Sequence, residues 1–245
     1  MANNQRVALV TGASRGIGAE VAKRLAKDGF AVAINYSSNQ QAAEAVQKEI
    51  EASNGVAAIF QANVASSAEV DRMFTDIKAK FGGIDVLINN AGVMALGPLA
   101  AVTDEVIDKH IDINLKGSLY ALRAAAQHLN DGGRVVNLST TVVGLKLENY
   151  SVYAATKGAI EVATGILAKE MRGRNITVNA VAPGPTATDL FLEGKPQEVI
   201  ERMSKMSPLE RLGKPSDIAG SIAFLVGPDG GWINGQTLRA NGGLV

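Results

Sequence analysis

A chain of 245 residues is long enough for one large α/β domain, and its 47% hydrophobic content, with only 4% aromatic, makes Ala, Val, Ile, Leu and Gly the core. Lys plus Arg balances Asp plus Glu at 24 each, which leaves no electrostatic footprint for nucleic acid or an anionic membrane. With no cysteine and only two histidines, His110 and His128, disulfides, thiolate catalysis and cysteine–zinc sites are excluded, and a histidine-rich metal site is disfavoured.

Residues 1–6 form no apolar leader, and no stretch approaches the ~20 apolar residues of a spanning helix, so a cytoplasmic protein is expected. Short runs rich in Val and Ile recur at 6–11, 31–35, 56–61, 84–89, 134–139, 176–181 and 237–240. They have strand length and the composition of strands covered on both faces. Helix-like stretches alternate with them near 17–28, 39–53, 66–80, 103–130, 150–172 and 215–226. Ser66 with Glu69 reads as a capping box, and Pro215 suits a first helical turn. Repeated strand–helix–strand units predict right-handed crossovers and a mostly parallel seven-stranded sheet within one domain over 1–245. The Pro-, Gly- and Thr-rich stretch 183–214 is the least regular; it reads as a substrate lid or as a plain loop.

The first strand runs into Thr11-Gly12-Ala13-Ser14-Arg15-Gly16-Ile17-Gly18, with a helix directly after. Glycines let the backbone approach a diphosphate, and the helix N-terminus offers unpaired N–H groups to the anion. An enzyme using NAD needs an acidic residue at the end of the second strand for the ribose 2′-hydroxyl. That position is Tyr36, and Asn35, Ser37 and Ser38 beside it are also uncharged. Arg15 can pair with a 2′-phosphate, which favours NADP; the alternative is that Arg15 is a solvated surface charge.

Tyr153 and Lys157 stand four residues apart, one turn on one helix face. An ammonium beside a phenol is expected to lower its pKa and make proton exchange with a carbonyl or alcohol oxygen feasible.

Taken together, these motifs resemble the short-chain dehydrogenase/reductase family over almost the whole chain. The resemblance is carried by Thr11–Gly18, by Asn89-Asn90-Ala91-Gly92, by Tyr-x-x-x-Lys at 153–157, by Pro183-Gly184 with Thr188, and by the segment 211–219. It implies a three-layer doubly wound Rossmann fold and a homotetramer assembled through the helices near 103–130 and 150–172. It also implies roles. Asn90, Ala91 and Gly92 would flank the cofactor, with Asn90 beside the adenosine ribose. Asn63-Val64 would meet the adenine, with asparagine where the family usually has aspartate. Thr188 and the backbone of Thr186 would hold the nicotinamide carboxamide. Lys157 would bond the nicotinamide ribose, and Asn114 would help hold a water in a proton relay. The family's catalytic serine usually lies thirteen residues before the tyrosine. That position is Thr140, with Ser139 and Thr141 as the alternatives.

The expected activity is NADPH-dependent hydride transfer to the carbonyl of a small molecule, with Tyr153 as proton donor. Met94, Leu96, Leu145, Leu147 and Phe191 are expected to line an apolar substrate wall. The nearest subtype by resemblance is the 3-oxoacyl-carrier-protein reductase. The alternatives are an NAD-linked alcohol or sugar dehydrogenase and a non-catalytic NADP-binding sensor or scaffold.

Overall fold

A computed structural model describes residues 5–245. Its strands are β1 (Val7–Val10), β2 (Ala31–Tyr36), β3 (Val56–Gln61), β4 (Val86–Asn89), β5 (Arg134–Leu138), β6 (Thr177–Pro183) and β7 (Thr237–Ala240). They form one sheet in the order β3-β2-β1-β4-β5-β6-β7, and every pairing is parallel. The main helices are α1 (Gly16–Lys27), α2 (Gln40–Ala52), α3 (Ser67–Phe81), α4 (Asp104–His110), α5 (Gly117–His128), α6 (Val142–Leu145), α7 (Ser151–Glu170), α8 (Asp189–Leu192), α9 (Gln197–Met206) and α10 (Pro215–Val226).

Alternation along each strand sends side chains to opposite layers. In β1, Ala8 and Val10 pack against α1, α2 and α10, while Val7 and Leu9 pack against α3, α5 and α7. This three-layer, doubly wound arrangement is the Rossmann fold that the strand–helix alternation predicts. Strand order reverses between β1 and β4, and the crevice outside their carboxyl ends is where such sheets bind ligands.

Three local expectations change. The single helix over 103–130 is α4 and α5 joined through a wider π-helical turn, Ile111–Lys116, which carries buried Asn114. The stretch 183–214 contains α8 and α9, whose apolar spacing is overshadowed in sequence by flanking Gly and Pro. The capping box is half formed: Ser66 Oγ accepts from Glu69 N at 3.4 Å, but the Glu69 carboxylate accepts from Asn63 N at 2.8 Å. His110 is a satisfied core residue, with Nδ1 2.7 Å from Val106 O and Nε2 accepting from Ala95 N at 3.1 Å. Among the described residues no helix is long and apolar enough to cross a membrane, and no cluster of His, Asp and Glu is suited to a metal ion.

Candidate active site

The glycine loop closes directly on the turn after β4. Gly12 and Gly16 have φ of +61° and +58°, a left-handed backbone that glycine adopts without steric cost. A Cβ on Gly18 would lie 2.5 Å from Asn90 Nδ2 and 2.6 Å from Gly12 O. Asn90 fixes this contact by donating to Thr11 O at 2.8 Å and Gly12 O at 3.1 Å. Thr11 Oγ1 in turn accepts from Asn90 N and Ala91 N at 2.9 and 3.0 Å. From the other side, Gly12 N donates to Asn35 Oδ1 at 3.1 Å. Asn35 therefore shapes the loop, a role that its sequence position alone did not suggest.

Arg15 is the exposed N-cap of α1, and no side chain caps that helix, so its first N–H groups remain available to an anion. A cavity of about 1500 Å³ runs along this loop. Loop residues Gly12 and Ser14 to Gly18 border it, as do Tyr36, Ser37, Asn63, Val64, Asn90 to Gly92 and Thr188. The Tyr36 side chain itself is only 5% exposed and belongs to the core, which leaves Ser37, Ser38 and Arg15 as the polar groups at that end. A glycine cradle without room for a Cβ, an uncapped helix end and a neutral, hydroxyl-bearing rim with one guanidinium fit a phosphorylated dinucleotide.

A second cavity, about 890 Å³, shares Ile17, Asn90, Gly92 and Thr188 with the first. Ser139, Thr140, Tyr153, Lys157, Pro183, Gly184 and Thr186 border it, with Met94, Leu145, Leu147 and Phe191 as its apolar wall. Leu96 does not belong to this wall. It is 39% exposed and lies in an outer groove, because the chain has already turned away from the sheet after Met94. Gly184 packs against the C-terminal segment, where a Cβ would come within 2.9 Å of Asn241 Cα. Thr188 Oγ1 accepts from Phe191 N at 3.3 Å and so caps α8 at the cavity's edge.

The three candidate hydroxyls separate cleanly. Ser139 Oγ donates to Glu161 Oε1 at 2.6 Å, and Thr141 Oγ1 donates to Ala182 O at 3.2 Å. Thr140 Oγ1 accepts from Val142 N at 3.3 Å and is the hydroxyl that acts on the Tyr153 phenol, lowering its pKa.

Tyr153 and Lys157 lie one turn apart on α7, and Lys157 Nζ donates to Leu138 O at 2.7 Å. Burial pushes the Tyr153 phenol up to about 12, against a smaller lowering by the Thr140 hydrogen bond. Burial also pushes the Lys157 ammonium down to about 8. The expected lowering of the phenol by its neighbour is thus reversed among the protein's own groups: desolvation dominates, and the ammonium is directed at a backbone carbonyl. Asn114 is committed to backbone, accepting from Val93 N at 2.8 Å and donating to Val93 O at 2.9 Å. A Cβ on Gly92 would lie 3.2 Å from Asn114 Oδ1 and 3.5 Å from Lys157 Nζ, so the three positions converge.

Behind the site runs a buried polar chain that sequence reading missed. Asn137 Nδ2 donates to Thr164 Oγ1 on α7 at 2.9 Å, Asn89 Nδ2 donates to Asn137 Oδ1 at 3.0 Å, and Ser118 Oγ donates to Asn114 O at 2.7 Å. Its one legible signal is the presence of Asn89 and Asn137 inside apolar strands.

Comparison with known proteins agrees with this geometry. A family model described as enoyl-(acyl carrier protein) reductase matches residues 12–245. A short-chain type dehydrogenase/reductase of Picea abies is 44% identical over 98% of this chain and 92% of its own length. A 3-oxoacyl-(acyl-carrier-protein) reductase of Staphylococcus aureus is 40% identical over 97% of both chains. A short chain dehydrogenase from Burkholderia cenocepacia, crystallised in complex with NADP, superposes with a TM-score of 0.93 at 39% identity, covering 99% of this chain and 98% of its own.

Proposed function

The chain belongs to the short-chain dehydrogenase/reductase family, and on that premise we propose that it is an NADPH-dependent oxidoreductase acting on the carbonyl or hydroxyl group of a small apolar or acyl substrate. The observation that carries this reading is the grouping of Thr140, Tyr153 and, one turn on, Lys157 in the smaller cavity, which adjoins the larger one through Asn90, Gly92 and Thr188. NADP, when bound along the larger cavity, supplies or accepts the hydride. The N-terminal N–H groups of α1 would hold its diphosphate, and Arg15 with Ser37 would receive the 2′-phosphate. The NADP-bound relative supports this cofactor, and the Staphylococcus relative supports an acyl substrate.

Thr140 and Tyr153 donate hydrogen bonds to the substrate oxygen and stabilise the charge that develops there. Tyr153 then gives up its proton. A phenol held near 12 is protonated at neutral pH, the form a proton donor needs, although it is a weaker acid than a free phenol. Lys157, held near 8, keeps a proton that it can return to the phenolate.

The test is oxidation of NADPH with a panel of hydrophobic ketones. Tyr153→Phe is expected to lose about 10²–10⁴-fold in turnover while NADPH binding is retained, since only the proton donor is removed. Full activity in that variant overturns the assignment. Equal rates with NADH favour the NAD-linked alternative, and binding without turnover on any ketone favours a sensor.

A further inference from the structure

We infer that the substrate carries an anionic group on the far side of its reacting carbonyl, and that Lys195 and Arg202 read that charge. The inference deepens the carbonyl-reducing reading and rests on it.

A groove of about 1380 Å³ opens outward from the Tyr153 cavity. Leu147, Tyr150 and Met203 wall both spaces, and the Tyr150 ring lies 6.5 Å from the Tyr153 ring. The two spaces differ in chemistry. Both walls are mainly apolar, but Lys157 is the one charged residue bordering the inner cavity, whereas Lys146, Lys195 and Arg202 border the outer groove against a single carboxylate, Glu148.

Six of the 24 Lys and Arg side chains pair with a carboxylate among the described residues, as in Lys23–Glu49 at 3.0 Å, Lys116–Asp112 at 2.8 Å and Arg211–Asp217 at 2.6 Å, so it is the placement of the unpaired ones that matters here. Among the described residues, none of the three groove cations has a carboxylate within 4.0 Å. Three cations outside any ion pair thus stand together at the entrance to the reacting cavity, with Glu198 and Glu201 on the opposite side of Arg202.

Lys195 sits at the step between the two spaces. Its Nζ donates to Phe191 O at 2.6 Å and lies 4.7 Å from the centroid of the Phe191 ring, which itself lines the Tyr153 cavity. An ammonium on an aromatic face keeps N–H donors for an incoming oxyanion. Arg202 projects from α9 on the same groove and offers a planar fork to a carboxylate or phosphate. The complementary molecule is amphipathic: a reacting carbonyl within an apolar segment, then an anionic terminus. A phosphate-bearing acyl thioester and a free oxo acid share that chemistry.

The experiment compares kcat/KM for acetoacetyl-coenzyme A, its neutral N-acetylcysteamine thioester and a medium-chain oxo acid, using NADPH with wild type and with Lys195→Gln/Arg202→Gln. At least one anionic probe is expected to exceed the neutral thioester about tenfold in wild type. That advantage should collapse in the double variant and with rising salt, while turnover of the neutral thioester changes less than about twofold. Preference for the coenzyme A thioester assigns the charge to a phosphate-bearing carrier, and preference for the oxo acid assigns it to a free carboxylate. A neutral thioester used as well as both anions, or a double variant that loses all three equally, overturns the inference and leaves the carbonyl-reducing reading standing. Failure of wild type to reduce any of the three would instead count against that reading and end the inference with it.

Discussion

Lys157 gives the sharpest test of the electrostatics. Its side chain is 4% exposed, and burial moves its pKa from 10.5 to about 8. At ~1.4 kcal/mol for each tenfold change in proton affinity, the buried charge costs the fold about 3 kcal/mol at pH 7. Between pH 8 and 10.5 the unfolded chain holds this proton while the folded protein releases it, so stability rises with pH across that window. The full penalty is present below 8. Most of the gain, about 2–3 kcal/mol, falls between pH 7 and 10. The measurement is urea unfolding of wild type and Lys157→Met at intervals from pH 7 to 10, read as the difference between the two at each pH. Methionine keeps an unbranched apolar stem and removes the charge, so groups common to both proteins cancel. Wild type should gain on the variant by about 2–3 kcal/mol as pH rises. The series stops at pH 10 because the Tyr153 phenol, held near 12 in the fold against 10.0 ordinarily, makes stability fall between pH 10 and 12, and it lies one turn from the substituted side chain, so that fall need not be equal in the two proteins. A difference that does not vary with pH refutes the buried-ammonium argument.

Two further substitutions separate the site's parts. Thr140→Val should lower turnover about 10²-fold by removing one donor to the substrate oxygen, with recovery in Thr140→Ser. Ser139→Ala should instead leave turnover within about twofold and cost about 1 kcal/mol of stability through the lost Glu161 bond; steady-state kinetics with thermal unfolding distinguishes them, and the reverse pattern makes Ser139 the donor. Gly18→Ala places a Cβ against Asn90 Nδ2 and Gly12 O, at 2.5 and 2.6 Å. The strain and the broken Asn90 bonds should cost about 2–4 kcal/mol and weaken NADPH about tenfold or more, measured by unfolding and fluorescence titration. Unchanged affinity would show that the loop does not form the cofactor cradle.

The parts legible in the sequence are those set by short-range geometry. Val- and Ile-rich runs of strand length have to be covered on both faces, and alternating them with amphipathic segments leaves few solutions other than a parallel sheet between helices. The Gly12–Gly18 spacing after β1 and the four-residue step from Tyr153 to Lys157 are properties of one turn and one helix, so they could be read without any distant contact. The α9 helix was missed because its amphipathic pattern lies among Gly and Pro that signal loop. Leu96 borders the outer groove rather than the inner wall, a distinction between adjoining spaces that local sequence does not carry.

Long-range contact decided the rest. Thr140 rather than Ser139 meets Tyr153 because the end of β5 lies against α7 in one particular register, and a shift of one residue turns a side chain to the other face. Asn35 shapes the glycine loop only because β2 lies beside β1. The phenol is driven up rather than down because burial is a property of all the atoms around a group. Sequence by itself determined which chemical groups this protein has and how the nearest of them are spaced. The packing of distant segments determined which way those groups point and how far from water they lie, and so which of them can exchange a proton.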